Sequence, residues 1–216
     1  MERGNMNWSG KRLQALVYSL VAVPFTLVVL SASPRHVPPQ NHGKEIVLSV
    51  DPDQSKVHWT LGTTLHTVHG TFAFKSGALH LDPVNGIASG EIAVFATSGE
   101  SGNDSRDKKM HKDVLESGKF PDVIFRPDKV EGRIAPQGAV TVLVHGLLIL
   151  HGSQHEMTVP VQAELAGDHW TGTAKFNVPF IDWDLKNPSN FLLKVDHVVN
   201  VELELKGSLQ NSPASL

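Results

Sequence analysis

The strongest constraint on this chain is a two-residue alternation of apolar and polar side chains that recurs along most of its length. Met157, Val159, Val161, Ala163 and Leu165 alternate with Glu156, Thr158, Pro160, Gln162 and Glu164, and Val199, Val201, Leu203 and Leu205 with Asn200, Glu202, Glu204 and Lys206. Ala174, Phe176 and Val178 repeat the pattern, as do Phe72 and Phe74, with shorter versions at Val57-Trp59-Leu61 and Ile92-Val94. Successive side chains of a strand point to opposite faces, so this spacing writes strands with one apolar and one wet face. Turn signals separate the runs at Asp51-Pro52-Asp53, Asp82-Pro83, Asn85-Gly86, Gly132, Gln137-Gly138, Gly152-Ser153 and Gly167-Asp168. The expectation is an all-β fold, an eight-stranded antiparallel up-and-down barrel, since closure leaves no exposed edge; a two-sheet sandwich carries the same pattern.

One stretch, from Ser98 to Lys119, breaks the alternation. Its Asp104-to-Ser117 part predicts a short helical insertion, capped by Asp104 or Ser105 and ended by Gly118, with Met110 and Val114 on one face. A connection of this length is a lid at the barrel mouth or a structural link. Upstream, Arg3, Lys11 and Arg12 precede an apolar run from Leu13 to Leu30 and the small residues Ser31-Ala32-Ser33. Residues 1–32 therefore read as a secretory signal peptide or, if uncleaved, an N-terminal anchor giving membrane association through residues 13–30. The rest of the chain is expected to be periplasmic or otherwise exported. Residues 33–43, with Pro34, Pro38 and Pro39, read as a linker, 44–207 as the folded domain and 208–216 as a flexible tail broken by Pro213.

Several function classes lose support at this level. The formal charge is −3 and the basic residues are interleaved with acids, as in Arg106-Asp107-Lys108-Lys109, which is no footprint for nucleic acid. The chain has no cysteine, so thiol nucleophiles and thiolate metal sites are excluded. Its 12 histidines invite a metal reading that their spacing does not sustain. His66 and His69 fall on opposite faces of a strand, and His151 and His155 flank an expected Gly152-Ser153-Gln154 turn, across which they could meet and hold a metal only weakly. His197 is in register with Val199 and Val201, hence expected on the apolar face. No Gly-x-Ser-x-Gly elbow and no phosphate-binding glycine loop occurs, and the spacing of Asp182, Asp184 and Asp196 shows no acid–base pair. No cofactor and no catalytic residue is expected.

Five blocks in order resemble the YceI-like family. They are Asp51-Pro52-Asp53-Gln54-Ser55-Lys56-Val57-His58-Trp59; Leu65 to Phe72 with Gly70-x-Phe72; Arg106-Asp107 followed by Phe120-Pro121-Asp122-Val123-Ile124-Phe125; Leu150-His151-Gly152 with Val159-Pro160-Val161; and Phe176-Asn177-Val178-Pro179 with Asp182-Trp183-Asp184-Leu185. The resemblance implies a lipocalin-like extended barrel, usually periplasmic, that binds polyisoprenoid or related lipids inside it. It gives His151-Gly152 the meaning of a hairpin signature and makes Trp183 a barrel residue. The chain departs from the family pattern at Lys109, where a His is common, with His111 two residues on, and at Asp184, where Gly is usual.

The expected function is non-enzymatic sequestration or carriage of a long apolar lipid, such as an isoprenoid quinone or polyprenyl. Twelve apolar-face residues are candidates for the lining: Trp59, Leu61, Val68, Phe72, Phe74, Ile92, Val94, Phe125, Phe176, Val178, Val201 and Leu203. The competing reading is that they fill a solid core, because a barrel of this size can be packed or hollow. Two other classes stay open: a lipid-free barrel serving protein interaction or a stress response, and a weak metal-dependent enzyme.

Overall fold

A computed structural model describes residues 45–135 and 137–211. The expected signal or anchor at 1–32, the linker at 33–43 and the last five residues of the expected tail lie outside the described residues. Ten strand segments form: β1 (Ile46–Val50), β2 (Lys56–Gly62), β3 (Thr67–Phe72), β4 (Phe74–Leu81), β5 (Ala88–Phe95), β6 (Asp122–Glu131), β7 (Gly138–Leu150), β8 (Ser153–Ala166), β9 (His169–Val178) and β10 (Val199–Asn211). They close into an antiparallel barrel of eight strand positions. The count exceeds the expected eight because two positions are each occupied by a broken strand.

The first break is at Asp51. Both β1 and β2 pair with β10, β2 along Asn200–Glu204 and β1 along Gly207–Asn211. Asp51-Pro52-Asp53, expected to separate two strands, is a jog within one position and does not reverse the chain. The Asp51 carboxylate accepts from the Asp53 and Gln54 amides, and the Ser55 hydroxyl bridges the backbone of Lys206. The second break, at Ala73, divides β3 from β4. Beyond β4 every strand pairs with its successor, and β10 returns to β1 and β2. Residues Ser208–Asn211, expected in the tail, are paired with Ile46–Ser49 and complete the closure.

Two bulges reverse the facing of side chains. Between Phe74 and Ser76 the register with β5 shifts, so the inward set passes from Phe72 and Phe74 to Leu79 and Leu81. Between Pro127 and Lys129 it shifts against β7, moving the inward set from Val123, Phe125 and Pro127 to Val130. An extra residue in one strand of a pair has this effect because the side-chain period is two.

The two ends of the barrel differ. One carries the short turns at 82–87 and 167–168. The other carries the β2–β3 turn, the β5–β6 insertion, the β7–β8 hairpin and the β9–β10 connection. Within the insertion, α1 (Asp104–Lys109) is capped by Asn103, whose side-chain oxygen accepts from the Arg106 amide at 3.0 Å. The cap lies one residue before the expected Asp104. A single π-helical turn, Met110–Val114, follows. The left-handed residue that ends it is Glu116, at φ 44°, not Gly118. The start of the insertion covers the edge that β3 leaves open: Thr71 exchanges backbone hydrogen bonds with Glu100 at 2.9 and 3.1 Å, and the Ala73 amide donates to Ser98 Oγ at 2.8 Å.

Candidate ligand cavity

The barrel interior is hollow. A cavity of about 550 Å³ runs through it, within the range of a pocket for one small-molecule ligand. No large side chain among the described residues is completely shielded, as expected where the inner wall borders a void.

All twelve sequence-selected residues come together on this wall. Trp59 and Leu61 on β2 face Val68 and Phe72 on β3. Phe74 on β4, Ile92 and Val94 on β5 and Phe125 on β6 continue the wall on one side. Phe176 and Val178 on β9 with Val201 and Leu203 on β10 close it on the other. Sequence reasoning missed a comparable set. Val140, Val142, Val144, Leu148 and Leu150 of β7 all face the cavity, but Leu143, Leu147 and Ile149 between them blur the alternation. Leu79, Leu81 and Val130 lie beyond the bulges, in the opposite phase from the residues before them. Met110, Val114 and Leu115 of the insertion and Phe180, Leu185, Leu193 and Val195 of the β9–β10 connection line the loop end. Only the Met110–Val114 spacing signalled any of these.

Among the described residues, polar lining is confined to that same end. Thr63, His66, Asn103, Arg106 and Lys109 are the lining residues with hydroxyl, imidazole, amide or charged side chains. Arg106 is fixed by donating from Nε to Ser101 Oγ at 2.7 Å and from Nη2 to the Ser101 carbonyl at 2.9 Å, and Asp107 takes the Ser101 hydroxyl. Lys109 Nζ donates to the Pro188 carbonyl at 3.0 Å, joining the insertion to the β9–β10 connection. The cavity is thus an apolar shaft with a polar mouth.

Gly70 shapes the wall beside the mouth. It pairs with Trp59 across β2 and β3, and a Cβ there would overlap both the Trp59 indole and the Glu100 carbonyl. Glycine is what lets the insertion strand approach β3 while the indole lies across it. The indole is tilted 43° against Phe72 at 6.4 Å, and its Nε1–H has no acceptor among the described residues.

The histidines have separate tasks. His151 and Gly152, at φ 52° and 79°, form the β7–β8 turn themselves, so the turn begins one residue before the expected Gly152-Ser153-Gln154 and Ser153 already belongs to β8. Left-handed backbone at both central positions matches the twist of a two-residue hairpin. His151 packs on Phe120 at 4.6 Å, with Glu116 Oε2 3.7 Å from its Nε2, beyond hydrogen-bond reach. His155 instead stacks on Trp183 at 4.0 Å and 8°. Burial holds His155 below the ordinary imidazole range, partly opposed by the negative charge of Asp184. His111 joins the insertion to itself, with Nδ1 3.0 Å from Ser117 Oγ and Nε2 2.8 Å from the Gly99 carbonyl. His66 is at the mouth, whereas His69 is on the outer face against Thr60 Oγ1 at 3.2 Å. His197 is a correction: β10 begins only at Val199, and His197 is exposed in the bend before it. Among the described residues no three His, Cys, Asp or Glu side chains converge as a metal site.

Comparison with known proteins agrees with this architecture. No curated protein matches the chain. Among solved structures, BcnA of Burkholderia cenocepacia superposes with a TM-score of 0.61 at 18% identity, over 73% of this chain and 99% of that one. A polyisoprenoid-binding domain from Saccharophagus degradans, implicated in plant cell wall breakdown, gives 0.62 at 16% identity, over 76% and 98%. A YceI protein of Campylobacter jejuni gives 0.52 at 17% identity, over 65% and 84%. At these identities the likeness establishes the fold. The YceI-like domain model matches residues 48–207, the span from β1 into β10 that encloses the cavity. With nearly all of the barrel, both of its breaks and the family blocks inside that span, the chain belongs to the YceI-like family.

Proposed function

We propose that this protein binds a long apolar lipid of polyisoprenoid type, such as a polyprenyl or an isoprenoid quinone, and sequesters or carries it outside the cytoplasm without chemical change. The observation that carries the reading is the division of the cavity into an apolar shaft and a polar mouth. Such a cavity fits an amphiphile whose tail lies inside and whose polar end stays at Arg106 and Lys109. The Saccharophagus degradans domain, described as polyisoprenoid-binding, supports this ligand class. Each buried CH₂ contributes about 0.8 kcal/mol, against a cost of association of at least about 4 kcal/mol. At that lower bound a tail of about five carbons offsets the cost, and a longer one drives binding with no reaction step. Export by the N-terminal apolar run, with or without retention as an anchor, completes the proposal.

Mass spectrometry of an organic extract of the purified protein tests it. A prenyl or acyl lipid is the expected finding; a clean extract together with no uptake of added polyprenol overturns the reading. Phe72→Ala and Phe176→Ala are expected to weaken uptake, because both side chains border the void.

A further inference from the structure

The loops around the mouth carry large apolar side chains that the barrel does not use. Phe191 is 95% exposed, Leu192 82% and Leu65 74%. Their positions are fixed by hydrogen bonds. Asn190 Oδ1 accepts from the Leu192 and Leu193 amides at 2.9 and 2.8 Å, shaping the turn that presents Phe191 and Leu192. That turn is tied to the loop of Leu65 by the Thr64 amide, which donates to the Lys194 carbonyl at 3.0 Å, and by an antiparallel bridge between Thr63 and Val195. The two loops form one rim.

The rim is continuous with the cavity. Leu193 and Val195, next along the chain from Leu192, line the void, as do His66 beside Leu65 and Pro188 before the turn. Lys194 and Lys109 flank it, and neither makes an ion pair among the described residues. Large apolar side chains flanked by two lysines without ion pairs complement a bilayer with anionic headgroups, where the apolar groups enter the acyl boundary and the cations stay among phosphates. An ordinary protein partner explains the exposed side chains but not their junction with an apolar shaft.

We propose that the Leu65–Phe191–Leu192 rim inserts into the surface of a lipid bilayer and that ligand passes between membrane and cavity there without crossing water. The exchange rests on the reading of the ligand as a lipid; the docking rests on the rim. Val84, 64% exposed at the opposite end, provides a control position.

Because the chain has no cysteine, the full-length protein accepts a single label. Phe191→Cys and Val84→Cys are each coupled to an environment-sensitive fluorophore and mixed with phosphatidylcholine–phosphatidylglycerol vesicles, with and without brominated acyl chains. A blue shift and bromine quenching at position 191 but not at 84 is the expected result. The combined Leu65→Ser, Phe191→Ser and Leu192→Ser variant is expected to keep its Tm and its uptake of a fluorescent polyprenol from solvent, while uptake from vesicles slows about tenfold or more. Absence of quenching at 191 overturns the docking, as does equal quenching at both positions, which marks attachment through the N-terminal run. A blue shift at 191 that grows with protein concentration without vesicles assigns the rim to a second copy of the chain and overturns it too. A protein that takes up no polyprenol even from solvent overturns the lipid reading and the exchange with it; normal uptake from solvent without quenching overturns the docking alone.

Discussion

Asp184 shows how a single departure from a family pattern acquires a physical meaning. The position is usually Gly in the family, and here its backbone stands at φ 63°, in the left-handed region where a Cβ is disfavoured. Asp tolerates that conformation better than most residues, and its charge also opposes the effect of burial on His155. Asp184→Gly is therefore expected to be more stable than Asp184→Ala by about 1 kcal/mol in urea unfolding; equal stabilities would show that the backbone there relaxes. His155 itself predicts a pH effect. Its buried Nε2 has no hydrogen-bond partner among the described residues, and burial, which penalises the charged ring, holds the folded pKa below the ordinary one. As pH falls through about 6.5, the ordinary imidazole value, the unfolded chain takes up a proton that the folded chain resists, and stability declines until the lower folded pKa is passed. His155→Phe keeps a ring against Trp183 and should flatten that decline, measured as Tm between neutral and mildly acidic pH.

At the scale of elements, the insertion between β5 and β6 is held both by bonds to the barrel and by hydrogen bonds of its own. Both ring nitrogens of His111 are engaged, Nδ1 by the Ser117 hydroxyl and Nε2, as donor, by the Gly99 carbonyl. His111→Ala is expected to speed amide exchange across 103–117 while β7, β8 and β9 keep their protection, since local openings follow local contacts; uniform loss of protection would show that the insertion is integral to the barrel. Strands such as β8 and β10 were legible because their outer faces are polar and the inward set stands out. β7 was not, because Leu147 and Ile149 are apolar on the outer face. Leu79 and Val130 were illegible for another reason: bulges before them reversed the phase, and a two-residue period carries no mark of an inserted residue. The jog at Asp51 also looked like a reversal, since an Asp-Pro turn has the same local chemistry whether or not the chain turns back. The polar mouth is assembled from two loops distant in sequence, the β2–β3 turn and the β5–β6 insertion, so no local pattern announces it.

For the whole molecule, the decisive property is that the barrel is hollow, and alternation alone could not distinguish that from a packed core. The same inward Leu, Val and Phe residues satisfy either state, because the pattern records which face leaves water and not how much space is left between the faces. A substitution that enlarges one inward side chain separates the states by the sign of its effect. Ala163 on β8 lines the cavity and lies opposite Gly172 of β9, a pair that brings only one methyl group to the wall beside the Trp170 ring. In a hollow barrel Ala163→Leu gains apolar contacts and is expected to raise stability by about 0.5–2 kcal/mol, while a packed interior would be strained and lose about 1–3 kcal/mol. The added side chain also takes room from a ligand. If the void is where an apolar tail resides, the variant should be more stable without ligand and take up less polyprenol, an opposed pair of changes that a solid-core barrel cannot produce.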